Sequence, residues 1–190
     1  MLRILVIPLS ILLTACASAP SSLTDTTGTD LLSGGDVYTL TNLHADPKRK
    51  RLFAVNYQQS KLIPLCTKVT LDALSGKKLI FTTLNDSQTY QYFHHKKAAA
   101  EPFDMHLKRY FGSKCNTSNI SSLSKIDQEG IKAGTIKKGM SKEGVTLAAG
   151  FPPRHVTPST DSNEWTYWKN KFNRLVIEFD NKGIVKNIID

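Results

Sequence analysis

The sequence lacks a hydrophobic run long enough to cross a bilayer as a helix. Its longest apolar stretch, residues 4–13, is interrupted by Pro8 and Ser10, whereas a membrane-spanning helix needs about 20 consecutive apolar residues. A short apolar stretch that follows Arg3 near the start of the chain is typical of the core of a secretory signal peptide. We therefore interpret residues 1–15 as a signal peptide and expect any attachment to a membrane to be peripheral.

Cysteine is scarce, since the chain has only three. One of them, Cys16, directly follows Leu13-Thr14-Ala15 at the end of the apolar stretch, and this segment resembles a lipobox. The resemblance implies cleavage before Cys16 and a diacylglycerol on its sulfur, and two or three acyl chains make such an anchor effectively permanent. The alternative is an ordinary signal peptide with an incidental cysteine. Ala17, where an inner-membrane retention signal usually has Asp, implies transfer to the periplasmic face of the outer membrane.

The other two cysteines, Cys66 and Cys115, are not part of a Cys-X-X-Cys pair, which argues against a redox or zinc role. In an oxidising compartment we expect them to form a disulfide with each other. Closing a loop of this length stabilises a fold by roughly 4 kcal/mol in the chain-entropy model. Two free thiols are the alternative, because the sequence does not show the geometry of the pair.

The sequence also lacks recognisable catalytic and metal-binding motifs. It has no Gly-X-Ser-X-Gly nucleophile elbow. Of its five histidines, His94 and His95 are adjacent in a predicted strand and would point to opposite faces, and the other three lie in different elements. The short spacings of zinc ligands are therefore absent. Asp161 and Glu164 are close in sequence, but they lie in a Pro/Ser/Thr-flanked loop where acids are ordinarily solvated. We therefore expect no enzymatic activity, no metal and no cofactor.

Acidic residues are fewer than basic ones, 16 against 25, which gives a formal net charge of +9. In a cytosolic protein this excess would point to nucleic acid. An exported protein instead meets anionic lipid head groups and acidic protein surfaces, so we expect no nucleic-acid partner. A basic, soluble surface without a dedicated partner is the alternative interpretation.

The first part of the exported chain predicts a tether followed by a folded unit. Residues 16–35 have little apolar periodicity and are interpreted as a flexible tether, whereas residues 36–112 predict a sheet-and-helix unit. Apolar residues at helical spacing predict a helix from Phe103 to Gly112, which would cover one face of the sheet. Short turns join the last three strands into an antiparallel meander. The predicted strands are Val37–Leu40, Leu52–Tyr57, Cys66–Leu74, Lys78–Leu84 and Thr89–His94.

The rest of the chain predicts a linker and a second unit. Residues 113–130 are rich in Ser, Asn, Thr and Lys and predict the linker, and residues 131–190 predict the unit. Ser141 is placed to cap a helix that ends at Gly150. The expected fold class is α+β: an N-terminal antiparallel sheet-and-helix unit, then a helix on a three-stranded antiparallel meander. The predicted strands of the meander are Glu164–Lys169, Arg174–Phe179 and Ile184–Ile189.

Three blocks of the second unit resemble the SmpA/OmlA (BamE-like) family of outer-membrane lipoproteins. The resemblance covers about a third of the chain, and residues 36–112 lie outside it. It implies a lipid-anchored periplasmic module that binds other proteins and has no catalytic residues. The blocks are Gly139-Met140-Ser141 with Val145 and Gly150-X-Pro152, then Trp165-X-Tyr167, then Leu175-X-Ile177-X-Phe179-Asp180-X-X-Gly183-Ile184-Val185.

The densest aromatic patch of the sequence begins at Trp165. Side chains alternate along a strand, so one of the pairs Trp165/Tyr167 and Thr166/Trp168 faces the helix and the other faces outward. An outward Trp168 would form an aromatic spot among basic residues, suited to an acidic protein face or to lipid head groups. The alternative is that Trp168 is a core or ordinary surface residue. The candidate partner-binding residues are Trp168, Lys169, Lys171, Phe172 and Arg174.

Together these features predict a non-catalytic outer-membrane lipoprotein that acts as a protein-binding scaffold. The assembly it serves would build β-barrels or form another envelope or secretion complex. The alternative is a periplasmic module that binds a ligand or inhibits an enzyme. A flat aromatic and basic patch would favour the scaffold, and an apolar pocket between the two units would favour the alternative.

Replacing Cys16 tests the predicted anchor. In a bacterial host, the native chain should begin at an acylated Cys16, as judged by the intact mass of the mature protein, and should sediment with membranes. Cys16→Ser should carry no acyl chains and move to the soluble fraction, because this sulfur is the predicted attachment site. A mature chain that begins elsewhere, or that lacks the mass of the acyl groups, would contradict the lipobox.

Overall fold

A computed structural model describes residues 22–95 and 101–190. The fold is α+β, as predicted, with four helices and eleven strands in the described residues. The helices are α1 (Phe103–Leu107), α2 (Thr117–Ser121), α3 (Lys125–Ala133) and α4 (Lys142–Ala149). The strands are β1 (Val37–Thr39), β2 (Leu43–Ala45), β3 (Arg51–Phe53), β4 (Lys61–Ile63), β5 (Lys68–Ser75), β6 (Lys78–Thr83), β7 (Thr89–Phe93), β8 (Phe111–Gly112), β9 (Glu164–Trp168), β10 (Arg174–Phe179) and β11 (Val185–Ile189).

The N-terminal unit is built on a six-stranded sheet with the order β3-β7-β6-β5-β1-β8. The predicted meander of β5, β6 and β7 is confirmed, and its pairs are antiparallel. The sheet is nevertheless mixed, because β3 pairs with β7 in parallel. Leu79, Phe81 and Thr83 alternate along β6 and are buried, as expected for a strand with one covered face. Strands β2 and β4, which the sequence analysis missed, form a separate two-stranded sheet.

The predicted helix from Phe103 to Gly112 is too long. Helix α1 ends at Leu107, and Phe111 and Gly112 form β8 at the edge of the sheet beside β1. The backbone N–H of Leu40 donates to the Tyr110 carbonyl oxygen over 2.9 Å. The Phe111 ring is fully buried, with its centroid 5.3 Å from that of Phe81. Burying this aromatic in the sheet outweighs continuing the helix, and Gly112 is a strand residue, not a helix cap.

The predicted tether is also wrong over the part that the structure describes, since residues 22–35 fold onto the N-terminal unit. Leu23 and Leu31 belong to its hydrophobic core. The Asp25 carboxylate accepts hydrogen bonds from the Ser113 backbone N–H and hydroxyl, at 3.0 and 2.6 Å. These bonds lower the pKa of Asp25. Two widely spaced leucines give no periodic signal in the sequence, yet each fills a place in the core. Residues 16–21 lie outside the described residues.

The predicted linker, residues 113–130, contains α2 and most of α3, so it too is corrected. Ser124 caps α3, its hydroxyl oxygen accepting from the Asp127 backbone N–H over 3.2 Å. The helix ends at Gly134, whose φ of 62° is left-handed, a conformation that glycine adopts without strain. Helix α3 has few apolar residues and depends on packing against α4 for its stability.

The second unit otherwise follows the prediction. Ser141 caps α4, its hydroxyl oxygen accepting from the Gly144 backbone N–H over 2.9 Å, and the helix ends at Gly150. The three strands form the antiparallel meander in the order β11-β10-β9. Trp165 and Tyr167 are buried beneath the helices in a core distinct from that of the first unit.

The disulfide prediction is confirmed. Cys66 and Cys115 are bonded, with their Cα atoms 5.4 Å apart. The bond joins the residues before β5 to the chain after β8. Ser113, two residues before Cys115, also donates hydrogen bonds to Asp25. The disulfide and these hydrogen bonds together attach residues 22–35 and the start of the second unit to the N-terminal sheet.

The C-terminal end of α4 joins the two units. The last carbonyls of a helix have no partner within the helix, and here donors from the N-terminal unit supply them. The Leu147 oxygen accepts from the Asn42 backbone N–H over 2.9 Å. The Ala149 oxygen accepts from the side-chain amides of Asn56 and Gln58, at 2.8 and 3.0 Å.

Gly144→Ala is expected to lower the free energy of unfolding by about 1–3 kcal/mol, the usual effect of overpacking. A methyl group at Gly144 would overlap the buried Asp127 carboxylate, which accepts from the Ser141 backbone N–H over 2.8 Å. In an unhindered helix the same change stabilises by up to ~1 kcal/mol. Chemical denaturation measures the difference. Gly76→Ala, with nothing within 4 Å of the added carbon, is the control and should shift stability by less than about 0.5 kcal/mol. Equal stability of the two variants would contradict the packing.

Candidate binding surface

The five candidate partner-binding residues lie together around the turn between β9 and β10, here called the hairpin tip (Trp168, Lys169, Lys171, Phe172 and Arg174). Asn170 shapes the turn, because its side-chain oxygen accepts from the backbone N–H groups of Phe172 and Asn173, at 2.9 and 3.0 Å. This Asx arrangement holds a turn in one conformation. The tip therefore presents Phe172, which is 87% exposed, from an ordered backbone.

Trp168 lies on the face of β9 opposite to Trp165 and Tyr167, which are buried in the core, although Thr166 on the same face as Trp168 is also buried. Its indole ring is partly exposed and has the Arg174 guanidinium carbon 5.0 Å from its centroid. The ring of His155 lies parallel to it, with the centroids 6.3 Å apart. The Trp168 backbone oxygen accepts from the Gln58 backbone N–H over 2.8 Å. Side chains of the second unit thus pack against the Trp168 ring, and a backbone hydrogen bond from the first unit positions the Trp168 backbone.

The charges of the hairpin tip are not equivalent. Lys169 forms an ion pair with Asp190, which neutralises part of its charge. Lys171 and Arg174 are exposed and form no ion pair with the carboxylates of residues 22–95 or 101–190. The tip is therefore basic and carries one exposed aromatic ring. That it binds a partner stays a prediction.

A cavity of about 410 Å³ lies between the two units. The larger apolar side chains that line it are Leu62, Ile136, Leu175 and Ile188, and its polar groups include His44 and Gln59. The Gln59 side-chain oxygen is buried and has no donor among the residues that the structure describes. This inter-unit cavity is the feature that would favour a ligand-binding module. The molecule therefore has both the aromatic and basic patch that would favour a scaffold and the pocket between the units that would favour a ligand-binding module.

A buried polar network surrounds Glu101, and the sequence analysis did not find it. The Tyr92 hydroxyl and His106 Nε2 are 2.8 Å apart, and His106 Nδ1 is 3.3 Å from a Glu101 oxygen. Arg109 pairs with the same carboxylate, and Arg154 of the second unit lies 3.6 Å from it. Burial would raise the pKa of Glu101, but the hydrogen bond with His106 and the charge of Arg109 lower it.

The order tyrosine, histidine, glutamate is also that of a proton relay. Burial raises the pKa of Tyr92 well above its ordinary value and lowers that of His106. Tyr92 is only 2% exposed and His106 only 4%, so neither side chain reaches a substrate from solvent in this conformation. The network is best explained as a buried link between the units, with Arg154 contributed from the second.

Three further points concern the predicted lipidation site, metal ligands and membrane-spanning helices. Cys16 lies outside the described residues. In residues 22–95 and 101–190, no three His, Cys, Asp or Glu side chains are grouped as metal ligands. The helices of those same residues are all too short or too polar to span a bilayer.

No protein-family model, curated protein or solved structure matches this chain. The resemblance to the SmpA/OmlA family therefore rests on the three residue blocks alone. Their glycines occupy positions that the backbone restricts to glycine: Gly139, Gly150 and Gly183 have φ values of 89°, 75° and 75°. The backbone conformations that a helix packed on a meander requires therefore explain why these blocks contain glycine at these positions.

His44, which lines the inter-unit cavity, should make stability depend on pH. Its Nε2 is 3.0 Å from the Ala148 carbonyl oxygen, and burial lowers its pKa despite this bond. The unfolded chain therefore binds more protons below its own pKa of about 6.5. The contribution of neutral His44 is complete above that pH and is lost as the pH falls toward the folded-state pKa.

The expected slope is at most about 1.4 kcal/mol of unfolding free energy per pH unit for one such group. His44→Gln keeps a donor for Ala148 but does not titrate, so denaturant titrations below pH ~6.5 should show a smaller slope for this variant. The slope that remains belongs to other groups, among them His106, whose pKa burial also lowers. An unchanged slope in the variant would contradict the assignment.

Proposed function

We propose that this chain is a lipid-anchored protein of the outer membrane, on its periplasmic face, that acts as a non-catalytic scaffold and binds other proteins of an outer-membrane assembly. The observation that carries the proposal is the hairpin tip: Phe172 is 87% exposed on an ordered turn, beside exposed Lys171 and Arg174. Aromatic and arginine side chains are enriched at interfaces, where a few such residues supply most of the binding energy.

The charge of the tip defines its preferred partner. Basic residues around an exposed ring suit an acidic protein surface, because complementary charge speeds association and excludes wrong partners. The pairing of β9 and β10 ends at Trp168 and Arg174, and Phe172 lies in the exposed turn beyond it, so a partner can reach Phe172 without any opening of the fold. Anionic lipid head groups offer the same charge but no defined pocket for the ring.

The anchor is supported by the lipobox at Cys16 and by the family resemblance. Because residues 22–35 are part of the fold, only five residues lie between Cys16 and Ser22. An extended chain covers about 3.5 Å per residue, so the first folded residue stays within about 20 Å of the acylated sulfur. A scaffold held this close would meet the periplasmic parts of membrane proteins and not distant soluble ones.

A second candidate function is a ligand-binding module, and the inter-unit cavity favours it. Its volume of about 410 Å³ falls in the range of about 300–1,000 Å³ typical of small-molecule sites. The cavity and the hairpin tip share Lys169. A ligand in the cavity would therefore lie next to the proposed protein contact.

Site-specific crosslinking tests the scaffold. A photoreactive benzophenone amino acid in place of Phe172, in the full-length chain in intact cells, should give discrete crosslinks to envelope proteins. The same group at Met105, which is 50% exposed on the other unit, is the control and should give none or different ones. Lys171→Glu in the Phe172 variant should weaken the crosslinks several-fold, because it reverses a charge that steers the partner. Identical products from both positions, or none at 172, would contradict the proposal.

A further inference from the structure

The outward surface of the meander follows from the register of its strands. Along β10, Arg174, Val176 and Glu178 alternate with the residues that point toward the core. In β11, Ile189 is paired with Val176 and Asn187 with Glu178, so both lie on the same side of the sheet. We call this part of the outward surface the β10–β11 face (Arg174, Val176, Glu178, Asn187 and Ile189).

The centre of the β10–β11 face is apolar and open to solvent. Ile189 is 51% exposed, and Val176 beside it is partly exposed. Both line a shallow groove of about 710 Å³ that extends to Phe172 and Arg174. Only four large apolar side chains are exposed in the described residues, and two of them, Phe172 and Ile189, meet at this groove. An exposed apolar patch with a polar rim is typical of an interaction surface.

The two ends of the face carry opposite charges. Arg174, at the end near the hairpin tip, has no carboxylate within ion-pair distance in residues 22–95 or 101–190. At the other end, Glu178 lies directly opposite Glu164 of β9, and like charges in this position repel each other. Asn187 donates to Glu178 over 2.8 Å. Lys186, the exposed extra residue of the β11 bulge, forms no ion pair with either glutamate.

The order basic, apolar, acidic along β10 makes the face complementary to itself. Val176 is its midpoint, because Arg174 and Glu178 each lie two residues away, about 7 Å along the strand. A twofold axis that lies between two such faces and crosses β10 at Val176 reverses the direction of the strand. It sets Arg174 of each copy against Glu178 of the other and brings the two Ile189 side chains together. Such a contact is isologous, with the same residues on both sides.

We propose that the β10–β11 face binds a second copy of this chain, in an antiparallel dimer with the two faces in contact. Each copy supplies the cation that the other copy's glutamates lack, and the apolar centres cover each other. The hairpin tips point to opposite ends of this dimer, so Phe172 and Lys171 stay accessible to another protein. The proposal goes beyond the scaffold function and does not depend on it.

The size of the face sets the strength of the dimer. Two strands of five residues cover only about 10 by 17 Å, far less surface than a stable complex buries. We therefore expect a dissociation constant on the order of 100 µM in solution. Chains that are anchored in one membrane would meet at a higher effective concentration.

Charge-swap variants test the dimer by sedimentation equilibrium of the full mature chain with Cys16→Ser, which removes the predicted acylation site. Arg174→Glu alone and Glu178→Arg alone set like charges against each other across the axis and should each weaken dimerisation at least about tenfold. Arg174→Glu combined with Glu178→Arg re-forms both pairs with reversed signs and should return the dissociation constant to within about threefold of its original value. Local damage to the fold by one substitution would not be repaired by the other.

The matched control is Lys132→Glu. Lys132 is exposed on α3, so this substitution makes the same charge change as Arg174→Glu at a place outside the β10–β11 face. It should leave the dissociation constant unchanged.

A photoreactive benzophenone amino acid in place of Ile189, in the full-length chain in intact cells, distinguishes a second copy from other occupants. It should give a product of twice the mass of the chain, which Arg174→Glu reduces and the combined swap restores. Three results would overturn the proposal: crosslinks from position 189 to other proteins instead, a chain that stays monomeric up to about 1 mM, or no rescue by the combined swap. Position 172 reports contact with other proteins and position 189 reports self-association. Failure of the dimer and failure of the scaffold are therefore distinguishable.

Discussion

The carbonyl groups at the end of α4 depend on the other unit for their hydrogen bonds, and the arrangement of the molecule follows from this constraint. Asn42 is the central donor. Its side-chain nitrogen donates to the oxygens of Ile131 and Ala148, at 2.7 and 3.2 Å, and its side-chain oxygen accepts from the Leu65 backbone N–H over 2.8 Å. At 2% exposure, the amide has no access to water as a substitute. Removing the Asn42 amide while the units stay packed would leave several buried polar groups without partners, each costing about 1–3 kcal/mol.

This junction also creates the surfaces that support the functional proposals. By holding residues 57–58 against β9, it fixes the backbone of Trp168 at the start of the hairpin tip. The inter-unit cavity lies on the inner side of the same meander, where Leu175 and Ile188 face Leu62 of the first unit. The hairpin tip adjoins the inter-unit cavity, because Lys169 belongs to both. A partner bound at the tip would therefore contact a rigid body formed by both units and not an isolated hairpin.

Local signals predicted the parts of the fold that local interactions determine. The caps of α4, the meander of β9 to β11 and the pairing of β5, β6 and β7 follow from alternation, turns and Ser141, and each is present. The prediction errors occur where contacts between residues distant in sequence determine the structure. Leu23 and Leu31 make residues 22–35 part of the core, Phe111 enters the sheet instead of extending α1, and α3 is stabilised by its contact with α4. The hairpin tip was predictable because its residues are neighbours in sequence. The inter-unit cavity and the donors to α4 were not predictable, because each combines residues from several distant segments.

The central claim is that hydrogen bonds to the end of α4 make the two cores one cooperative body, and native-state hydrogen exchange tests it most directly. In the native chain, the slowest amides of β6 in the first unit and of β10 in the second should report the same opening free energy. In Asn42→Ala the two values should separate by about 1 kcal/mol or more, because each core can then open alone. Values that already differ in the native chain, or that stay equal in the variant, would contradict the account.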